Sequence, residues 1–329
     1  MNRYIYLLLA VAFFASCKND SPVKQNPADP QEVNTQDASK VDNVKESQPS
    51  QTNNNSSTQG STTSTNNQQK TVTVSTVEEI VEHAESNTIM YLEKGRYELE
   101  SDLVYYITEN ERKIIDKKVE ETKSIGGQLY FSGLKNFQLI GKNGVEIISK
   151  NPKAVAFFMI RSNNVKISNI TVKKEVNGIA DLCYISNGQN IEVDRCNFDG
   201  GGSYGIYINK MISLKLNNCR ISNCTTGAMR LNESRSIKFL NSTFTENTFK
   251  LPIVNCYGSG SDVAFENVTI SGNKKDPSST FQDSDRIMAL GNNTLTLHNC
   301  VIQDNPGYTT LGMSLEFIKD SQIDGVALQ

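Results

Sequence analysis

"LKLNNCRIS", residues 214–222, opens as a half-buried strand and then breaks its own pattern. Leu214 and Leu216 alternate with polar neighbours, as a strand with one face in a core does. Asn217 and Asn218 interrupt, and the alternation restarts at Cys219 and Ile221. The same interruption recurs in "VKISNITV" (165–172), "IEVDRCNF" (191–198), "IKFLNSTF" (237–244), "VAFENVTI" (263–270) and "LTLHNCVI" (295–302). Each copy places two apolar residues inward, makes a polar turn, and places two more inward.

The fifth position of the copies is Asn169, Arg195, Asn218, Asn241, Asn267 and Asn299. Its spacings of 26, 23, 23, 26 and 32 residues suit a coil with variable loops better than a propeller blade. Six residues before each copy stands another apolar or small residue: Met159, Ile185, Ile208, Leu231, Tyr257 and Ala289. An earlier coil fits the same frame, with Phe131 six residues before Phe137. Three short strands per turn predict an all-β solenoid, and from about residue 71 to the end the chain resembles the right-handed parallel β-helix proteins of the pectate-lyase-like fold. The expectation is one domain, 71–329, of about seven to eight coils. The texture of "SYGIYI" and "NNCRIS" is similar to that of bacterial β-helix repeat proteins. That fold hosts lyases, hydrolases, esterases, adhesins and phage proteins, so the resemblance implies no single reaction.

Asn suits the repeated turn because it tolerates left-handed backbone and offers both a donor and an acceptor. Stacked at about 4.8 Å, the amides can bond to one another as a ladder. Arg195 is expected to break that ladder. Residues 71–104 read as the opening cap. Thr76 and Glu79 form a capping-box signature before "VEEIVEHA", predicting a helix over the end of the solenoid. The charged insertion 107–124 is compatible with a helix or a solvated hairpin, and the tail after Tyr308 with one last imperfect coil around "EFIKDSQI".

Cys196, Cys219 and Cys300 share one inward column, and Cys183 also points inward. Parallel in-register neighbours aim their Cβ atoms the same way, so free stacked thiols are expected rather than disulfides. With no CxxC and two histidines, His83 in the cap and outward His298, no metal site is expected.

The amino terminus addresses location. Arg3 precedes an apolar run, Tyr4 to Phe14, too short to span a bilayer. Ala15 and Ser16 then stand directly before Cys17. This resembles a bacterial lipoprotein signal, which implies cleavage after residue 16 and lipidation of Cys17. Lys18-Asn19-Asp20 resembles the acidic export signal of Bacteroidetes lipoproteins. The implied location is the outer membrane, on its periplasmic or cell-surface side. Residues 17–70 are the lipidated cysteine and a Ser/Thr/Asn/Gln-rich tether with almost no apolar content. As a flexible coil it spans on the order of 40 Å. A net charge of −3 gives no basic surface for nucleic acid.

Alternation on the first strand of each coil turns Tyr130, Phe158, Tyr184, Tyr207, Arg230 and Met288 outward, with Asn255 or Cys256 in the coil between the last two. "AVAFFMI" also admits a one-residue slip that would turn Met159 out in place of Phe158. Sugar rings stack on aromatic faces, and Arg holds carboxylates or sulfates in a fork. Tyr130, Phe158, Tyr184, Tyr207 and Arg230 are therefore the candidate substrate-binding residues for an elongated polysaccharide or other glycan, neutral or acidic. Loops covering the column would instead make it structural.

Catalysis has a thinner basis. No outward first-strand position carries the paired carboxylates that glycoside hydrolysis uses. A polysaccharide lyase is the enzyme alternative, with Arg230, Lys210 or Tyr207 in proton transfer and Ca²⁺ needed only in that case. Asp199 beside "DGGGS" (199–203) is a single acid, and hard cations want several oxygens. Asp181 and Glu175 could contribute only if their loops fold inward. The leading expectation is a lipid-anchored glycan-binding protein. The alternatives are a lyase and a structural or adhesive spacer.

Overall fold

The computed structural model describes residues 69–117, 125–176, 178–200, 202–281, 284–313 and 317–328. The signal segment, Cys17, the tether before Gln69, residues 118–124 of the insertion and Gly201 of the glycine loop lie outside the described residues.

The repeat builds a parallel β-solenoid. Its first wall is a nine-stranded sheet of stacked short strands, among them Gln128–Ser132, Phe157–Ile160, Cys183–Ser186, Tyr204–Asn209, Gly227–Asn232 and Val254–Tyr257. This is the tyrosine face. The second wall is an 18-stranded sheet holding the repeat copies themselves, such as Asn163–Lys174 and the pair Ile212–Asn217 and Arg220–Ser222. Six turns from Phe157 to Gln303 carry every strand of the repeat. Leu103–Thr108 and Gln128–Ser132 add two levels before them, and Ile318–Lys319 with Ser321–Ile323 form the final partial turn.

Left-handed residues turn the chain at its corners. All six fifth-position residues, Arg195 included, have φ between 49° and 58°. A second corner, which the repeat alignment does not reveal, uses Asn87, Asn136, Asn164, Asn190, Ser213 and Ser236. A third follows each tyrosine-face strand at Gly133, Arg161, Asn187, Lys210, Glu233 and Gly258. Asn and Gly recur because this backbone region is costly for most L-residues.

The expected ladder forms in part. Asn299 Nδ2 donates to Asn267 Oδ1 (2.6 Å), Asn267 to Asn241 (3.0 Å), and Asn241 to Asn217 rather than Asn218 (3.0 Å). Arg195 carries no amide, so Asp194 takes over as acceptor. Its Oδ1 receives both Asn217 (2.9 Å) and Asn218 (3.3 Å), and its Oδ2 pairs with Arg195 Nε (3.0 Å). The second corner has its own ladder through Asn87, Asn136, Asn164 and Asn190. A third ladder, Asn247–Asn273–Asn305, runs inside the body, with Asn247 and Asn273 fully buried.

Between the walls, Phe131, Phe137 and Phe157 pack at one end, and Phe239, Phe244 and Phe265 meet edge to face further along. Six cysteines, 183, 196, 219, 224, 256 and 300, are free and buried in this core. Burial raises the thiol pKa of all six, to about 12 for Cys219 and Cys256.

Helix Val77–His83 caps the first turn. Thr76 Oγ1 accepts the Glu79 N–H (3.1 Å), while the Glu79 carboxylate reaches past the cap residue to the Ser75 N–H (2.6 Å). The described part of the insertion is a hairpin: Leu103–Thr108 pairs antiparallel with Arg112–Asp116, which covers the open edge of the tyrosine face. Arg112 ties this hairpin to the cap through the Ala84 carbonyl (2.7 Å) and Glu85 (3.1 Å). At the other end, Ser321–Ile323 folds back antiparallel on Val326–Leu328. Among the described residues no helix is long and apolar enough to cross a membrane.

Candidate functional site

Register stacks the outward residues of the tyrosine face. Tyr130, Phe158, Tyr184, Tyr207 and Arg230 pair level by level, so the expected column exists. Phe157 and Met159 are buried, which leaves Phe158 outward and excludes the slip. The column begins one level earlier, at Tyr106, whose ring stacks on Tyr130 (centroids 5.0 Å, 13° between planes). Sequence reading missed Tyr106 because "LVYYIT" adjoins the insertion and lies outside the repeat copies.

Two expectations fail at the far end. Cys256 pairs with Leu231 and is buried, so Asn255 and Tyr257 are the outward residues and Tyr257 is not in the inward register. Val254 pairs with Met288, which is buried, and Ala289 rather than Met288 follows Asn255 in the column. The outward residue stands seven residues before the repeat copy at Arg230 and Ile237, eight at Asn255 and Val263, and six at Ala289 and Leu295, so a corner that gains and then loses one residue shifts the frame.

From Tyr130 onward the rings are tilted rather than stacked. Successive centroids are 5.6, 5.4 and 4.9 Å apart, with planes at 46°, 65° and 64°. A fully face-stacked ladder would occupy both faces of every inner ring with its neighbours. Tilting, with each ring half-buried, leaves ring surface turned to the outside. Beside the rings runs a polar column. Asn209 Nδ2 donates to the Tyr184 hydroxyl (3.0 Å), and Asn232 Nδ2 to Asn209 Oδ1 (2.9 Å).

Arg230 ends the aromatic run. Its guanidinium lies 3.7 Å from the Tyr207 ring centroid and 5.3 Å from that of Tyr204. One nitrogen, Nη2, is ion-paired with Asp181 Oδ2. Asp181 is 5% exposed, and its Oδ1 accepts the Tyr204 N–H (3.2 Å). The loop before Cys183 therefore does fold inward at Asp181. Burial pushes this carboxyl up, and Arg230 and Lys174 offset part of the shift. Burial also acts against the Arg230 charge, but Asp181 and Tyr257 outweigh it and hold the guanidinium above its ordinary value. Lys174, 4% exposed, donates to the carbonyls of Ala180 (2.9 Å) and Asp181 (3.4 Å) and secures the carboxylate's loop. Burial lowers its pKa to about 8.

The remaining candidates lie elsewhere. Lys210 occupies a left-handed corner (φ 52°), and its ion pair is with Glu233 (3.5 Å), not with the Arg230 cluster. Asp199 accepts from Ser222 Oγ (3.1 Å) and Asn223 Nδ2 (2.6 Å), and Glu175 pairs with Arg96 (2.5 Å). His298 faces outward beside Asp320 (3.5 Å). Among the described residues no three His, Cys, Asp or Glu side chains approach closely enough to hold a metal ion.

Residues 64–270 match the family model described as a right-handed beta helix region. The chain belongs to the right-handed β-helix family. Comparison with curated proteins returns no match. Among solved structures, a Bacillus subtilis pectate lyase mutant is 12% identical, with a TM-score of 0.49 over 78% of this β-helix chain and 82% of that one. ORF18 of Geobacillus virus E2 is 14% identical, TM-score 0.46, over 75% of this chain and 48% of its own. The tailspike gp49 of Acinetobacter baumannii bacteriophage Fri1, a capsular polysaccharide depolymerase, is 11% identical, TM-score 0.33, over 77% and 59%. These likenesses concern the fold.

Proposed function

We propose that this β-helix is an exported, lipid-anchored protein that binds an elongated polysaccharide along its tyrosine face. One observation carries the reading: five successive levels, Tyr106, Tyr130, Phe158, Tyr184 and Tyr207, present half-buried rings in one unbroken column, tilted from Tyr130 onward. Such a column offers apolar faces at regular steps with phenol hydroxyls beside them, which suits a chain of sugar rings. Lipidation at Cys17 and the tether would hold this face away from an outer membrane, on its periplasmic or cell-surface side.

Binding is favoured over lyase chemistry because Arg230 already has a carboxylate partner and a ring beneath it, both of which keep it protonated. Lys210 is engaged at a corner with Glu233. A structural or adhesive spacer would not need the rings exposed.

The test is affinity electrophoresis through gels containing a panel of neutral and acidic polysaccharides. Retardation that falls at least tenfold in Tyr184→Ala and Tyr207→Ala supports the reading. Retardation unchanged in both variants, or absent from every gel, overturns it. Metabolic palmitate labelling lost in Cys17→Ala tests the anchor separately.

A further inference from the structure

Given glycan binding on the tyrosine face, the charge arrangement of that face bears on the class of polymer. We propose that the bound polymer is uncharged, and that Asp181 sets this preference by neutralising Arg230; the inference rests on the glycan reading above.

A carboxylated or sulfated chain needs a guanidinium or ammonium free to face it, ideally with two donors in a fork. Lys113, in register with Tyr106 at the start of the outward column, is ion-paired with Glu111 (3.1 Å). Arg230, the cation at its other end, does not meet that requirement either. Its Nη2 donates to Asp181, and its plane is covered by Tyr207. Asp181 cannot readily swing aside. Its other oxygen holds the Tyr204 N–H, and Lys174 fastens its backbone from beneath.

Over the five levels before Arg230, the column carries aromatic rings and no permanent charge. The neighbouring column is Thr108, Ser132, Ile160, Ser186, Asn209 and Asn232, also uncharged, with Ser132 and Ser186 buried. At the margin, Lys210 is paired with Glu233, and the Arg161 guanidinium leans on the Ser132 hydroxyl (3.4 Å). Arg161, at this margin, has no carboxylate partner. One such contact on a solvated edge contributes little against salt. An acidic polymer laid on the face would give up hydration of its carboxylates against ring surfaces and amides. A neutral polymer loses no such hydration and keeps the stacking and the hydrogen bonds.

The experiment is affinity electrophoresis of the full chain carrying Cys17→Ala, which removes the lipidation site. Gels contain neutral polymers (glucan, galactan, mannan, xylan) or acidic ones (polygalacturonate, alginate), at 20 and 300 mM NaCl. The expected result is retardation in at least one neutral gel, changed less than twofold by salt, and none in the acidic gels. Asp181→Asn, checked by circular dichroism, is expected to gain retardation in an acidic gel that is lost at 300 mM NaCl.

Salt-sensitive retardation of the parent in an acidic gel overturns the inference and leaves glycan binding standing. Retardation in no gel of either class overturns glycan binding itself. A folded Asp181→Asn that gains nothing overturns the role given to Asp181. Should that variant fail to fold, the salt series on the parent still decides whether the polymer is charged.

Discussion

Asp181 and Arg230 stand 49 residues apart, on turns two levels distant, and close into an ion pair beneath the end of the tyrosine column. The carboxylate is almost wholly buried, whereas the arginine side chain keeps 30% of its surface exposed. Burial works against both charges, so the pair is held by mutual attraction, the Tyr204 amide and the ring of Tyr207. Removing one partner leaves the other desolvated. Breaking a fully buried pair costs about 3–5 kcal/mol. Solvent at Arg230 reduces this, and Asp181→Asn is expected to destabilise the domain by about 2 kcal/mol in urea unfolding. The double replacement Asp181→Leu with Arg230→Met should recover most of that loss. A single variant within 0.5 kcal/mol of the parent, on the scale typical of surface changes, would show the pair to be incidental.

The three asparagine ladders differ in what lies around them. Asn267, on the exposed ladder, has φ 56°, so Asn267→Gly should cost only a few tenths of a kcal/mol, because glycine accepts that backbone. Asn273 is fully buried and bonds Asn247 (2.8 Å), Asn305 (2.9 Å) and the Phe244 carbonyl (2.9 Å). Asn273→Ala strands those partners without water and should cost about 3 kcal/mol or more. Equal midpoints in a denaturant titration of the two variants would contradict this contrast.

Phe239 meets Phe244 at 5.5 Å and Phe265 at 5.2 Å, both edge to face, and is fully buried. Phe239→Ala removes the side chain and two aromatic contacts from a core confined between two walls. The expected loss is about 3–5 kcal/mol by chemical denaturation. Phe239→Leu, which refills most of the volume, should cost less than half as much.

Alkaline pH should unfold this domain through its thiols. All six buried cysteines have folded-state pKa values raised by desolvation. Above an unfolded thiol pKa near 9 the unfolded chain releases protons that the folded chain keeps, so stability falls as pH rises. Each thiol contributes up to about 1.4 kcal/mol per pH unit in that window. Lys174, lowered to about 8, has the opposite sign between pH 8 and its unfolded value near 10.5, because there the unfolded chain holds the extra proton. One lysine against six thiols leaves a net loss. The melting temperature should fall steeply from pH 9 to pH 11, and the double variant Cys219→Ala, Cys256→Ala should flatten that slope. An unchanged slope would remove the thiols as its cause.

How the repeat reads along the chain explains which parts of this molecule were legible. The six copies share one alternation, and alternation depends only on neighbours in sequence, so the core columns and the corner at the fifth position follow directly. The second and third corners were not legible from the repeat copies. Asn and Gly stand at most of their positions, but Arg161, Lys210, Ser213, Glu233 and Ser236 also adopt left-handed backbone there, and those residue types give no warning of it. The aromatic column was legible through Tyr207, where successive turns repeat at nearly constant length. It was misread at Tyr257 and Met288, where the corner between the walls gains and then loses one residue, which exchanges inside for outside.

Sequence alone determines the solenoid, most of its core-facing columns and the outward course of Tyr130, Tyr184 and Tyr207, because a period of two along a strand and a near-constant turn length require nothing beyond local chemistry. Phe158 is fixed outward only by the burial of Phe157 and Met159. Tertiary structure alone decides what becomes of charge on that face. Asp181 lies in a loop with no pattern of its own, and only closure of the turns, with Lys174 beneath and Tyr204 beside it, brings its carboxylate to Arg230. An ion pair across two levels depends on where a loop is carried in space, and spacing along the chain does not encode that.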